Sequence, residues 1–207
     1  MNRAARESLR QHYFPDRVEL LFVGEAPPAS RRFFYKADSG LFRAIRSTFI
    51  AVFPTLRNEE FLESFRSLNC YLVDLCGTSV DRLNSKQRKR ACVEAEARLS
   101  RILKEISPRI VVTVVRSISA NVRRAQRQAD WSGAYFELPY PGRWKRNRQA
   151  FAEGLAKILR QELAVPGSRT ISDARTPKQE AKSKPSSKPR LSPVRAKASS
   201  GIAGKCR

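Results

Sequence analysis

The sequence predicts an α/β fold, a mainly parallel sheet with helices on both of its faces. Two observations carry this. Four short apolar runs recur along residues 1–165. Between them lie stretches whose apolar residues repeat at helical spacing, long enough for the crossover that parallel strands require. No internal repeat is visible, so a solenoid is not expected.

The first run is VELLFVG at 18–24, read as a strand that stops at Gly24. A helix follows over 39–53, with Leu41, Ile45, Phe49 and Val52 on one stripe, and a short second helix over 58–68. CYLVDLC at 70–76 is the second strand. Residues 85–106 read as one long helix with Ala95, Leu99, Ile102, Leu103 and Ile106 at helical spacing. RIVVTVV at 109–115 is the third strand, and 117–128 a helix. AYFEL at 134–138 is the fourth strand. A last helix over 144–163 carries Phe151, Leu155, Ile158 and Leu159.

The composition changes after residue 165. Residues 166–207 hold 11 Lys+Arg against two acids and no aromatic residue. Such a segment cannot bury enough apolar surface to offset its ordering entropy, and it is expected to be a disordered basic tail. The whole chain of 207 residues has a formal net charge of +22. That excess favours a polyanionic partner, nucleic acid first and an anionic membrane surface second. No apolar run approaches the roughly 20 residues of a membrane span. MNRAARESLRQHYF at the start lacks the apolar stretch of a secretory signal. The expected location is therefore intracellular, in the cytoplasm with the nucleoid or in the nucleus.

Cys70, Cys76, Cys92 and Cys206 form no CxxC pair, and His12 is the single histidine. Neither a metal cluster nor a His-based triad is expected, and no cofactor.

In open parallel sheets, ligands bind beyond the carboxyl ends of the strands. The first strand runs out into GEAPP, the second into Asp74, and the fourth into LPYPGRWKRNR. Pro27, Pro28, Pro139 and Pro141 stiffen two of these loops. Gly24 fits close backbone approach or a positive φ. Glu25 reads either as a structural acid at the rim or as a catalytic one. Phe33, Phe34 and Tyr35 follow, and three adjacent rings are not expected all to face the core. One or more would form a stacking platform for a base, worth roughly 1–3 kcal/mol, or would anchor the loop. Arg143, Lys145, Arg146 and Arg148 interleave with Trp144 at the start of the last helix. Cations there oppose the helix dipole, a conflict that a bound phosphate relieves. Lys86, Arg88, Lys89 and Arg90 open another helix, partly balanced by its glutamates.

FVGEAPP, the pair Phe33–Phe34, SGLF at 39–42, CYLVDL, IVVTVV and ELPYPGR occur in that order. Together they resemble the uracil-DNA glycosylase superfamily over residues 16–163. The resemblance implies a three-layer αβα sandwich with a four-stranded, mainly parallel sheet. It implies binding of double- or single-stranded DNA with a base flipped into a pocket, and a monomer is expected. On that alignment Glu25 orients the hydrolytic water or favours the cationic sugar. Phe34 (or Phe33) stacks on the base, while Gly24 and Ala26 line the base pocket with Asp74. Tyr140, Pro141 and Gly142 fall where many members carry His-Pro-Ser. There Tyr140 stands in for a histidine that stabilises the departing base, and Pro141, Gly142, Arg143, Trp144, Lys145 and Arg146 contact DNA. Asp74 replaces an asparagine, and an ionised aspartate only accepts hydrogen bonds. The branch with GEAPG also holds an iron–sulfur cluster with ligands near its N-terminus. No cysteine precedes Cys70, so no cluster is expected. The leading expectation is a DNA N-glycosylase. The alternative is a nucleic-acid-binding protein on the same scaffold without chemistry.

Overall fold

Leu20–Gly24 (β1) is wholly buried, as a strand must be when it has neighbours on both edges and helices on both faces. In the computed structural model, which describes residues 2–163, it pairs with Cys70–Asp74 (β2) on one side and Ile110–Thr113 (β3) on the other. Ala134–Glu137 (β4) pairs with β3 and is only half-buried, as suits an edge strand. All three pairings are parallel and the order is β2-β1-β3-β4. The basic tail expected at 166–207 lies outside the described residues.

The chain reverses its direction of travel across the sheet after β2. Right-handed crossovers then place the β1–β2 connection on one face and the later connections on the other. Arg3–His12 (α1) precedes the sheet. Gly40–Val52 (α2) and Phe61–Ser67 (α3) join β1 to β2. Ser85–Glu94 (α4) and Glu96–Ile106 (α5) join β2 to β3, and Ser119–Gln128 (α6) joins β3 to β4. Lys145–Ile158 (α7) returns to pack on α2, while α5 packs on α6. The chain is thus an α/β fold, a four-stranded parallel sheet flanked by helices.

Strand ends are shorter than the apolar runs. Leu75, Cys76, Val114 and Leu138 leave the strands but keep ladder-like bonds, as in Leu75 N–H to Gly24 O (2.8 Å) and Val114 N–H to Val23 O (3.0 Å). The α2 stripe also differs from expectation. Phe42, Ile45 and Phe49 are buried, while Leu41 is only partly covered and turns to the strand-end cavity. Phe22, Phe34, Phe42, Phe49, Phe61 and Phe65 form one aromatic cluster under this face, ring centres 5.3–6.3 Å apart.

The long helix expected over 85–106 is two helices that meet at Ala95. Asn84 and Gln87 form a capping box at the start of α4. Just past the junction, Glu96 is buried and its carboxylate takes Asn121 Nδ2 at 2.7 Å and the Arg124 guanidinium. A buried acid paired to α6 fixes where α5 begins, and an apolar stripe gives no sign of it. The last helix likewise stops at Ile158 and continues as a π-helical turn, Leu159–Leu163.

Candidate functional site

β1 and β3 lead off in opposite directions across the sheet, so their carboxyl ends flank the switch point where such folds open a crevice. A cavity of about 280 Å³ lies there. Gly24, Glu25, Ala26, Phe33, Phe34, Asp74 and Tyr140 all line it, together with Arg88. Its volume lies at the small end for ligand pockets, which suits a flat, compact guest.

The register explains the convergence of Gly24 and Asp74. They are partners across β1 and β2, each the last residue of its strand. A Cβ at position 24 would stand 2.6 Å from Asp74 Oδ1. Close approach of the carboxylate, and not a positive φ, therefore requires glycine here.

Asp74 is buried. Its Oδ2 lies 3.5 Å from Arg10 Nη2, and its carbonyl accepts from Arg98 Nη1 at 2.7 Å. Burial pushes its carboxyl above the ordinary aspartate value, more than Arg10, Arg98 and Arg6 pull it down. Below that raised value the protonated carboxyl carries an O–H donor, and above it the carboxylate only accepts. A carboxyl whose pKa rises on folding contributes stability below its ordinary range. That contribution is lost as pH rises through the folded value. Asp74→Asn is therefore expected to raise the unfolding free energy near neutral pH, with the gain shrinking as pH falls into the aspartate range. Urea melts of both proteins across pH measure this.

Glu25 is also buried, at 9% exposure, and it is not a lone acid. The Arg88 guanidinium of α4 grips both carboxylate oxygens, Nε on Oε1 and Nη2 on Oε2. The Cys92 Sγ lies 3.8 Å from Oε1. Cys92 Sγ thus takes the second direction on Oε1, and Oε2 keeps its second lone-pair direction for another donor. Arg88 had only a weak signal in sequence, a basic run on a helix with compensating glutamates. Nothing local couples it to an acid 63 residues away.

The ring expectation is corrected. Phe33, Phe34 and Tyr35 are all buried, each at 3% exposure or less. A 3-10 turn over Phe34–Lys36 makes this possible by swinging successive rings to different sides. Phe33 N–H bonds Asp38 Oδ1 at 2.6 Å, and Ala37 closes the turn in the left-handed region at φ 58°. Phe33 and Phe34 wall the cavity. Tyr35 goes elsewhere: its hydroxyl donates to Leu72 O (3.1 Å) and accepts from Leu72 N–H (2.8 Å). It thereby satisfies the outer edge of β2, a role invisible in the sequence.

Tyr140 reaches the cavity mouth, 47% exposed. Burial of its phenol, with Asp81 and Asp74 near, raises its pKa above the ordinary tyrosine value. It therefore remains a hydroxyl donor at neutral pH. Pro141 is buried and Gly142 half-buried, so they shape the loop from within rather than present a surface. Arg143, Trp144, Lys145 and Arg146 are exposed. The Arg143 guanidinium stacks 4.8 Å from the Trp144 ring centre. Trp144 begins α7 without a side-chain cap, leaving its first amides open beside the cations.

Among the described residues, no group of three or more His, Cys, Asp or Glu is placed to hold a metal ion. Cys76 and Cys92 face each other at 3.9 Å, and burial pushes the Cys76 thiol up to about 12. No helix among these residues is long and apolar enough to cross a membrane. No protein-family model matches the chain, and no curated protein matches it.

Proposed function

We propose that this protein is a DNA N-glycosylase of the uracil-DNA glycosylase type, acting on a base flipped out of the helix. The observation that carries the reading is the convergence of Glu25, Asp74, Tyr140 and two phenyl rings on one small cavity at the switch point. In this reading a base enters against Phe34, and Asp74 meets its polar edge. The C1′–N bond breaks and its electron pair leaves with the base, to which Tyr140 donates a hydrogen bond. Glu25 faces the cationic sugar and orients the water that adds to C1′, the water's proton passing to the carboxylate and on to solvent. The exposed Arg143, Trp144, Lys145 and Arg146 beside the cavity hold the strand through its phosphates.

One observation favours a second reading, nucleic-acid binding without chemistry: Arg88 grips both oxygens of Glu25 and offsets its charge. A panel of duplexes and single strands, each with one modified base, separates the two when followed by alkali to reveal abasic sites. The expected result is an abasic product from at least one base. With Arg143→Ala plus Arg146→Ala, affinity is expected to fall for every sequence and the log–log salt slope by about 1–2, with cleavage at saturation little changed. Weakened binding by that variant, with no abasic product anywhere in the panel, would leave the binding protein standing and remove the enzyme.

A further inference from the structure

A second cleft of about 180 Å³ opens on the far side of Asp74, between α1 and α5. Arg3, Arg6, Arg10 and Arg98 line it, with Glu7 and Gly77. Arg3, Arg6 and Arg10 share one face of α1 through their helical spacing. Among the described residues, Arg10 pairs with Glu7 at 2.5 Å and with Asp74 at 3.5 Å, whereas Arg3, Arg6 and Arg98 make no ion pair. Four cations thus face two carboxylates, the exposed Glu7 and the buried Asp74. Arg10 itself is only 5% exposed, and its Nε is buried with no hydrogen-bond partner. A guanidinium removed from water with an unused donor is costly unless an acceptor arrives. The first turn of α1 carries no acid to ease the crowding. Burial first, and then the neighbouring Arg10 and Arg3, lower the Arg98 pKa, while Glu7 and Asp74 pull it up.

The geometry points to a phosphate-binding site in this cleft, distinct from the base cavity and from the basic loop at 143–146. Its planar, forked donors match a tetrahedral oxyanion, and the volume admits one phosphate group but not a base with its sugar. Arg10 and Arg98 hold Asp74 from behind while Asp74 lines the base cavity. The Arg10–Asp74 pair therefore links the cleft to the cavity, as it would if a phosphodiester near the bound nucleotide sat in the cleft. The phosphate chemistry is independent of any glycosylase activity; the nucleic-acid source alone rests on the function proposed above.

The test uses the full chain and the variant Arg3→Gln plus Arg6→Gln, which removes two free cations from a helix and leaves Arg10 in place. Arg57→Ala plus Arg127→Ala, on exposed surface elsewhere, removes the same charge as a control. Two readouts are taken: thermal stabilisation by inorganic phosphate over chloride at matched ionic strength, and the salt dependence of binding to a short oligothymidylate. The expected result is phosphate stabilisation in the parent and the control but not in the cleft variant. With it, oligothymidylate affinity falls on the order of tenfold at low salt, and the log–log slope by about 0.7 for each phosphate that the variant no longer neutralises. Loss of phosphate stabilisation with a slope equal to the control's supports the site and assigns it to free phosphate. Equal phosphate stabilisation in parent and cleft variant, with a slope matching the control's, overturns the proposal. Arg3→Glu, at an exposed position, serves as the second variant if the double one loses its cooperative melt, and the same comparison decides.

Discussion

Glu25→Gln is expected to lower base release by on the order of 10² or more, while the protein stays folded and binds intact DNA as well as the parent or slightly better. The size follows from what an oriented general base or a charge facing a cationic sugar contributes to a transition state. The amide keeps the shape of the carboxylate, so the cavity is not emptied. It lacks the charge that Arg88 grips, so the guanidinium is freed and adds positive potential at the cavity mouth. Binding and chemistry then move in opposite directions. Single-turnover cleavage at saturating protein, alongside equilibrium binding to uncleaved strand, measures the two separately. A parallel fall in both would assign Glu25 to holding the fold.

The largest stability effect is expected at Phe65. Its ring is fully buried and touches Phe22, Phe34, Phe49 and Phe61, with centres 5.3–5.8 Å apart. Phe65→Ala removes the ring and leaves a cavity that four other rings cannot close, so about 3–5 kcal/mol is expected. Urea denaturation reads it as a lower midpoint at unchanged slope. A consequence for the site follows, because Phe34, which walls the base cavity, rests on Phe65. Substrate affinity is expected to weaken in this variant even below its unfolding transition. Loss of less than about 1 kcal/mol would show that the aromatic cluster is not the centre of this face.

β1, β2 and β3 were legible because each is a nearly continuous apolar run bounded by polar loops, which is what burial on two faces demands, whereas the half-buried edge strand β4 is a shorter run that ends on Glu137. Their rim residues were legible too, since GEAPP and LPYPGRW break the pattern sharply. What stayed hidden depends on pairs far apart in the chain. That Gly24 stands beside Asp74 follows from strand register, which no local pattern encodes. Arg88 on Glu25, Arg10 behind Asp74 and Tyr35 on Leu72 are each made by a polar side chain reaching into the core from another element. Their partners are buried, and periodicity marks burial without naming the partner. The break at Ala95 escaped for the same reason, since the buried Glu96 occupies a place that an apolar stripe reserves for leucine or alanine.

The proposed chemistry places an acid against a sugar that becomes cationic, and this can be measured without knowing the base. A DNA strand is made with a pyrrolidine, protonated at neutral pH, in place of one deoxyribose and its base. The comparison strand carries the neutral tetrahydrofuran at the same position. If Glu25 faces the developing cation, the pyrrolidine strand is expected to bind tighter by on the order of 10² or more. Glu25→Gln is expected to erase most of that gap and to leave affinity for the tetrahydrofuran strand near the parent's. Equal affinity of the parent protein for the two strands would contradict a cation-stabilising role for Glu25.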